Sequence, residues 1–167
     1  YNWRVKTNCT AGSGNYATAQ FTTAAGIASC PGSLDISTNG TTGGAAVIPF
    51  NTDAKGQINP VGDVDLYKFT ITTGGTISLS LTTLPANFDL QLLNSAGSAL
   101  VSSTKTGTTS ESISYTAAAG TYYARVYSSK NASNATSCYT VRVNLGTATR
   151  SGEPLAQISG SESLAIY

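Results

Sequence analysis

A chain of 167 residues with a formal charge of +1, nine Lys and Arg against eight Asp and Glu, is one ordinary domain or a domain plus a fragment. The basic residues are too scattered for a nucleic-acid footprint, and no apolar run approaches the roughly 20 residues of a membrane helix, although 40% apolar content suffices for a core. The absence of His removes Ser-His and Cys-His nucleophile pairs and His-ligated metals, and three Cys cannot build a four-thiolate zinc site.

At the start of the chain Tyr1, Trp3, Val5 and Thr7 alternate with polar neighbours, Ala11-Gly12-Ser13-Gly14 turns, and 16–23 reads as a second strand. This is an N-terminal β-hairpin fragment over 1–23, marginal by itself because nothing covers its apolar face. Its Tyr1, Trp3, Val5, Tyr16 and Phe21 are therefore expected to dock on the following domain or on a second copy. Residues 24–33 form an Ala/Gly/Ser linker. From 34 to 146 period-two alternation dominates. Tyr67, Phe69 and Ile71 form one apolar set, Ile77, Leu79 and Leu81 a second, Phe88, Leu90 and Leu92 a third. Tyr122, Ala124 and Val126 make a fourth, and Tyr139, Val141, Val143 and Leu145 a fifth. Thr73-Gly74-Gly75, Ser95-Ala96-Gly97 and Ala119-Gly120 punctuate them as turns. Short strands with one apolar face each predict an all-β chain, an antiparallel jelly-roll-like β-sandwich. Residues 147–167 are a small, polar linker that ends in the apolar Leu164-Ala165-Ile166-Tyr167.

The chain has no Met, so it is expected to be a piece of a longer polypeptide, and its Thr/Ser/Asn-rich, Lys-poor composition points to a secreted or cell-surface location. In that setting Cys30, at the linker-to-domain junction, and Cys138, opening the last strand, are expected to pair. The bridge closes a loop of about 108 residues, worth roughly 4–5 kcal/mol in the chain-entropy account. Cys9 is left without a partner.

Three stretches carry a family likeness. Gly62-Asp63-Val64-Asp65-Leu66-Tyr67-Lys68-Phe69, then Asn87-Phe88-Asp89-Leu90-Gln91-Leu92, then Ala119-Gly120-Thr121-Tyr122-Tyr123-Ala124-Arg125-Val126-Tyr127 resemble, in order and spacing, the bacterial pre-peptidase C-terminal domain. The closing strand Cys138-Tyr139-Thr140-Val141-Arg142-Val143 fits as well, so the resemblance covers about 30–146. The family's second motif usually carries two acidic residues, and here Asn87 stands at the first. The resemblance implies a compact sandwich at the C-terminal side of secreted proteases and other hydrolases. Residues 1–23 resemble the last two strands of a fibronectin type III domain of Bacteroidetes secreted proteins, through Tyr1-Asn2-Trp3-Arg4-Val5 and Phe21-Thr22-Thr23. Leu164-Ala165-Ile166-Tyr167 resembles the opening of a type IX secretion sorting domain.

The chemistry open to these residues is narrow. Asp63, Asp65 and Asp89, with Glu111 and Asp53 elsewhere, are the carboxylates that could run glycoside hydrolysis without His, but no aromatic-lined cleft accompanies them. Asp63, Asp65 and Asp89 are also hard oxygen ligands for calcium. The resemblance implies such an ion near the Gly-Asp-x-Asp strand, with Asp53 or Asn51 joining, although 33–47 holds only Asp35 where calcium-binding relatives have a Glu-rich linker. The bland alternative is that Asp63 and Asp65 cap a turn. If Tyr122, Ala124 and Val126 are core, Tyr123, Arg125 and Tyr127 point outward, and Arg142 on the final strand is expected to share their patch. Tyr and Arg suit sugars or peptides, while stacking of Arg on Tyr and cross-strand pairs would serve the sheet alone. Four Asn-x-Ser/Thr sites, at Asn8, Asn39, Asn131 and Asn134, are read as chance in a bacterial setting. The expectation is a non-catalytic accessory module of a secreted hydrolase or adhesin, without a cofactor unless calcium binds. Its partners would be an extracellular polysaccharide or protein and upstream domains of the same chain, with neither nucleic acid nor membrane. The alternative is a structural or calcium-stabilised spacer that assists folding and export.

Overall fold

The structure is a computed structural model that describes residues 29–147. The expected hairpin at 1–23 and its docking, the unpaired Cys9 and the C-terminal linker lie outside those residues. Nine strands make the whole of the regular structure described: β1 (Ala46–Val47), β2 (Asp53–Gly56), β3 (Val64–Ile71), β4 (Gly75–Thr82), β5 (Phe88–Leu93), β6 (Ala99–Ser103), β7 (Glu111–Ala117), β8 (Gly120–Ser128) and β9 (Tyr139–Thr147). They form a five-stranded sheet in the order β1-β3-β8-β5-β6 and a four-stranded sheet in the order β2-β9-β4-β7. Every pairing is antiparallel except β1 with β3, a parallel pair of two residues at the sheet edge.

All five expected strands form, as β3, β4, β5, β8 and β9. Strand β4 shows why: Ile77, Leu79 and Leu81 are at most 2% exposed while Thr76, Ser78, Ser80 and Thr82 alternate with them on the wetter face. The alternating sets of the two sheets meet in one core, with Tyr67, Phe69, Phe88 and Tyr139 as its bulkiest members. Phe50 meets Phe69 edge-on, and Tyr122 stacks on Phe69 with centroids 6.2 Å apart. Tyr122, Ala124 and Val126 therefore face this core, as the β-branched Val126 requires. Strands β1, β2, β6 and β7 were not anticipated. The first two are short, and β6 and β7 are edge strands with few large apolar residues.

Cys30 and Cys138 are disulfide-bonded, with Cα atoms 5.7 Å apart, and the bridge fastens the segment leading into the sandwich to the start of β9. One close approach fixes a residue type in the core. A Cβ at Gly56 would lie 2.3 Å from the Tyr139 hydroxyl and 2.6 Å from that of Tyr67, so β2 crosses this pair only as glycine.

Candidate functional site

Register divides the predicted site residues between two environments. Residues directly opposite each other in an antiparallel pair project to the same side. Asp65 lies opposite Val126, a core residue, and so points into the sandwich, whereas Asp89 lies opposite Tyr127 on the outer face of the five-stranded sheet. Asp65 is fully buried. One of its carboxylate oxygens accepts a hydrogen bond from the Tyr139 hydroxyl, which in turn accepts from Tyr67 at 2.7 Å. The other oxygen, Oδ1, has no protein partner, and neither has the buried Nδ2 of Asn39. Burial pushes the Asp65 carboxyl up to about 7 against the pull of the Tyr139 hydroxyl, and the Asp35 and Asp63 charges add to the rise.

Asp63 precedes β3 and accepts backbone N–H bonds from Asn59 at 3.0 Å and Val64 at 2.8 Å, so the turn-capping alternative holds for Asp63 but not for the buried Asp65. Asp35 likewise accepts the Gln57 N–H at 2.8 Å. Asp63, Asp65 and Asp89 thus do not converge, because period two sends Asp65 and Asp89 to opposite faces of one sheet. No group of three acidic or thiol side chains that could hold a metal forms among the described residues. Asp89 is 6% exposed. Its burial and the Glu111 charge raise its pKa.

The outer face of the five-stranded sheet is built in rows across the strands. Val64, Tyr127 and Asp89 form one row, Leu66, Arg125 and Gln91 the next, Lys68, Tyr123 and Leu93 the third. Tyr123, Arg125 and Tyr127 do project away from the main core, but Tyr123 is not an open contact residue. It is 7% exposed because Leu66 and Leu93 pack beside it, with Ala45 and Val64 around them, as a second small apolar cluster on the outer face. The patch expected of Arg125 and Arg142 does not exist either. β8 and β9 follow each other in sequence yet lie in opposite sheets, so the two guanidinium groups face opposite sides of the molecule. Arg142 is neutralised by Asp53, its neighbour across the β2–β9 pair, at 2.9 Å, and also donates to Asn144.

Arg125 is held differently. Its Nη1 donates to Gln91 Oε1 at 2.8 Å, its guanidinium lies 4.5 Å from the centre of the Tyr127 ring, and no carboxylate pairs with it among the described residues. It stands in a cleft of about 420 Å³ whose walls are the segment Gly40-Thr41-Thr42 and the Gly97 turn. These walls approach closely: a Cβ at Gly97 would come within 3.3 Å of the Thr42 methyl. Asn94 accepts the N–H groups of Ala96 and Ser98 to hold the turn, and Gly97 takes a φ of +80°. Gln91, Thr41 and Thr42 were missed at the sequence level. Gln91 stood in an outward position between Leu90 and Leu92, but only the pairing of β5 with β8 brings it to Arg125.

No curated protein matches the chain. Among solved structures, a periplasmic inhibitor of g-type lysozyme from Aeromonas hydrophila is 13% identical with a TM-score of 0.45, covering 59% of this chain and 93% of its own. The pre-peptidase C-terminal domain of a collagenase from Bacillus anthracis is 21% identical with a TM-score of 0.51, covering 60% of this chain and 94% of its own. The sandwich shares the fold of that domain, and residues 63–128 match the family model of the bacterial pre-peptidase C-terminal domain.

Proposed function

We propose that this sandwich is a non-catalytic accessory module of a secreted hydrolase or adhesin, and that it holds an extracellular polysaccharide or protein substrate near the catalytic part of the parent chain. The observation that carries the reading is Arg125: a guanidinium braced by Gln91 and Tyr127, in a cleft, with no carboxylate to neutralise it among the described residues. The match of residues 63–128 to the pre-peptidase C-terminal family and the Cys30–Cys138 bridge support a secreted accessory role. Retention of the full chain on at least one of chitin, cellulose, collagen or an acidic polysaccharide, abolished by Arg125→Ala, is the expected result. Passage through all four unretarded would sink the reading.

A second reading, a spacer without ligand that assists folding and export, draws on how many candidate residues are already satisfied within the chain. Tyr123 is buried, Tyr127 stacks on Arg125, Arg142 pairs with Asp53 and Asp63 caps its turn. A chelator arm in the same experiment examines its calcium-stabilised form. A fall in melting temperature on chelation, with no retention on any matrix, favours that form.

A further inference from the structure

We propose that the Arg125 cleft recognises the carboxylate of a uronic acid, so that the ligand class is an acidic, uronate-bearing polysaccharide; this rests on the binding reading above. The polar groups converging on the cleft floor are donors. Gln91 Oε1 is already taken by Arg125 Nη1, which leaves the Gln91 Nε2 and the remaining guanidinium N–H groups without protein acceptors among the described residues. A guanidinium and an amide nitrogen side by side suit a ligand group that only accepts, and an ionised carboxylate is such a group. The formal charge of the whole chain is only +1, so this attraction is local and does not come from a general basic surface.

The walls decide what carries the carboxylate. Leu66 and Leu93, the large apolar side chains lining the cleft, are 4% and 5% exposed because they are packed with Tyr123. The remaining apolar lining is the half-buried Val64 and the exposed Ala99, a small surface for an apolar peptide side chain. Thr41 and Thr42 line the wall as well, and although Thr41 Oγ1 accepts the Gly44 N–H, both side chains carry a hydroxyl able to exchange hydrogen bonds with ring hydroxyls. Tyr127 does not line the cleft and carries the Arg125 guanidinium over one face, so it offers the ring no platform there. Recognition therefore falls on the carboxylate and the hydroxyls. Asp89 sits one row away beside Tyr127 and does not line the cleft.

Affinity electrophoresis of the full chain in gels holding polygalacturonate tests this, with fully methyl-esterified pectin and poly-glutamate as parallel arms. Retardation by polygalacturonate alone is expected, at least tenfold weaker for Arg125→Ala and unchanged for Lys55→Ala, which removes one positive charge from the other sheet. Gln91→Glu keeps the side-chain size and the bond to Arg125 but turns the donor amide into a second acceptor. It should abolish retardation with the melting temperature unchanged or raised. No retardation by polygalacturonate, equal retardation by the methyl ester, stronger retardation by poly-glutamate, or wild-type binding by Gln91→Glu would each overturn the proposal. Retention on chitin, cellulose or collagen without uronate binding would leave the accessory-module reading standing and remove only this one.

Discussion

Burial with half a set of partners governs Asp65. Its carboxyl is raised to about 7 by desolvation, from an ordinary value near 3.8. Between those values the folded chain holds a proton that the unfolded chain has lost, so stability must fall as pH rises from about 4 to 7. At about 1.4 kcal/mol per unit the change approaches about 4 kcal/mol, an upper figure for a group this deep. Asp35 and Asp89, raised chiefly by the same burial, act in the same direction. Denaturant unfolding at pH 4.5 and at pH 8 should thus find the acidic sample more stable, and Asp65→Asn should remove most of the difference. A profile that is flat, or that rises with pH, would contradict this account of the buried carboxyl. Gly56 borders the same hydroxyl pair. Because Tyr67 and Tyr139 are buried and hydrogen-bonded, neither ring can yield to a new methyl group 2.3 Å away. Gly56→Ala is expected to cost about 1–3 kcal/mol, as overpacking does, read from the shift in the denaturation midpoint.

At the scale of the strand, β8 shows what was legible in the sequence and what was not. Its alternation, with Val126 as the β-branched marker, correctly assigned Tyr122, Ala124 and Val126 to the main core and Tyr123, Arg125 and Tyr127 to the other face. Period two says which side a residue takes. It says nothing of whether another part of the chain covers that side. Tyr123 was lost to view for this reason: it is buried by Leu66 and Leu93, which come from β3 and β5. Arg142 failed for a related reason, since neighbouring strands in sequence need not share a sheet, and the crossing from β8 to β9 changes layer. Cys30 and Cys138 were legible because a pair of thiols in a secreted composition has a default partner, whereas carboxylates do not. The unequal cover of the outer face has a measurable consequence. Tyr123→Ala empties a packed cluster and should cost about 3–5 kcal/mol. Tyr127→Ala, on a half-buried ring whose main contact is the Arg125 guanidinium, should cost about 1 kcal/mol. Equal losses in thermal and denaturant unfolding would mean that the outer face is covered uniformly.

For the whole molecule the decisive constraint is long-range. Most strand pairings join segments far apart in the chain: β2 with β9, and β3 with β8. The loops between them lower the entropy of the native state at a cost that grows slowly with length. The Cys30–Cys138 bridge spans 108 residues, nearly the full described sandwich, and so limits the unfolded chain across almost all of its pairings at once. In the chain-entropy account a loop of this length is worth about 5 kcal/mol, a large share of the 5–15 kcal/mol that holds an ordinary domain together. Its position matters as much as its length. The bridge anchors the strand that contributes Tyr139 to the buried hydroxyl pair and Arg142 to its bond with Asp53 on β2. Loosening it should open the β2–β9 edge before the β4–β7 side of the same sheet. Reduction with a mild thiol, or the double substitution Cys30→Ser with Cys138→Ser, is therefore expected to lower the denaturation midpoint by the equivalent of about 3–5 kcal/mol. Amide hydrogen exchange in the altered chain should speed up first at residues 53–56 and 139–143. A uniform acceleration across both sheets, or a midpoint that does not move, would show that the bridge does no more than follow a fold the strands already hold.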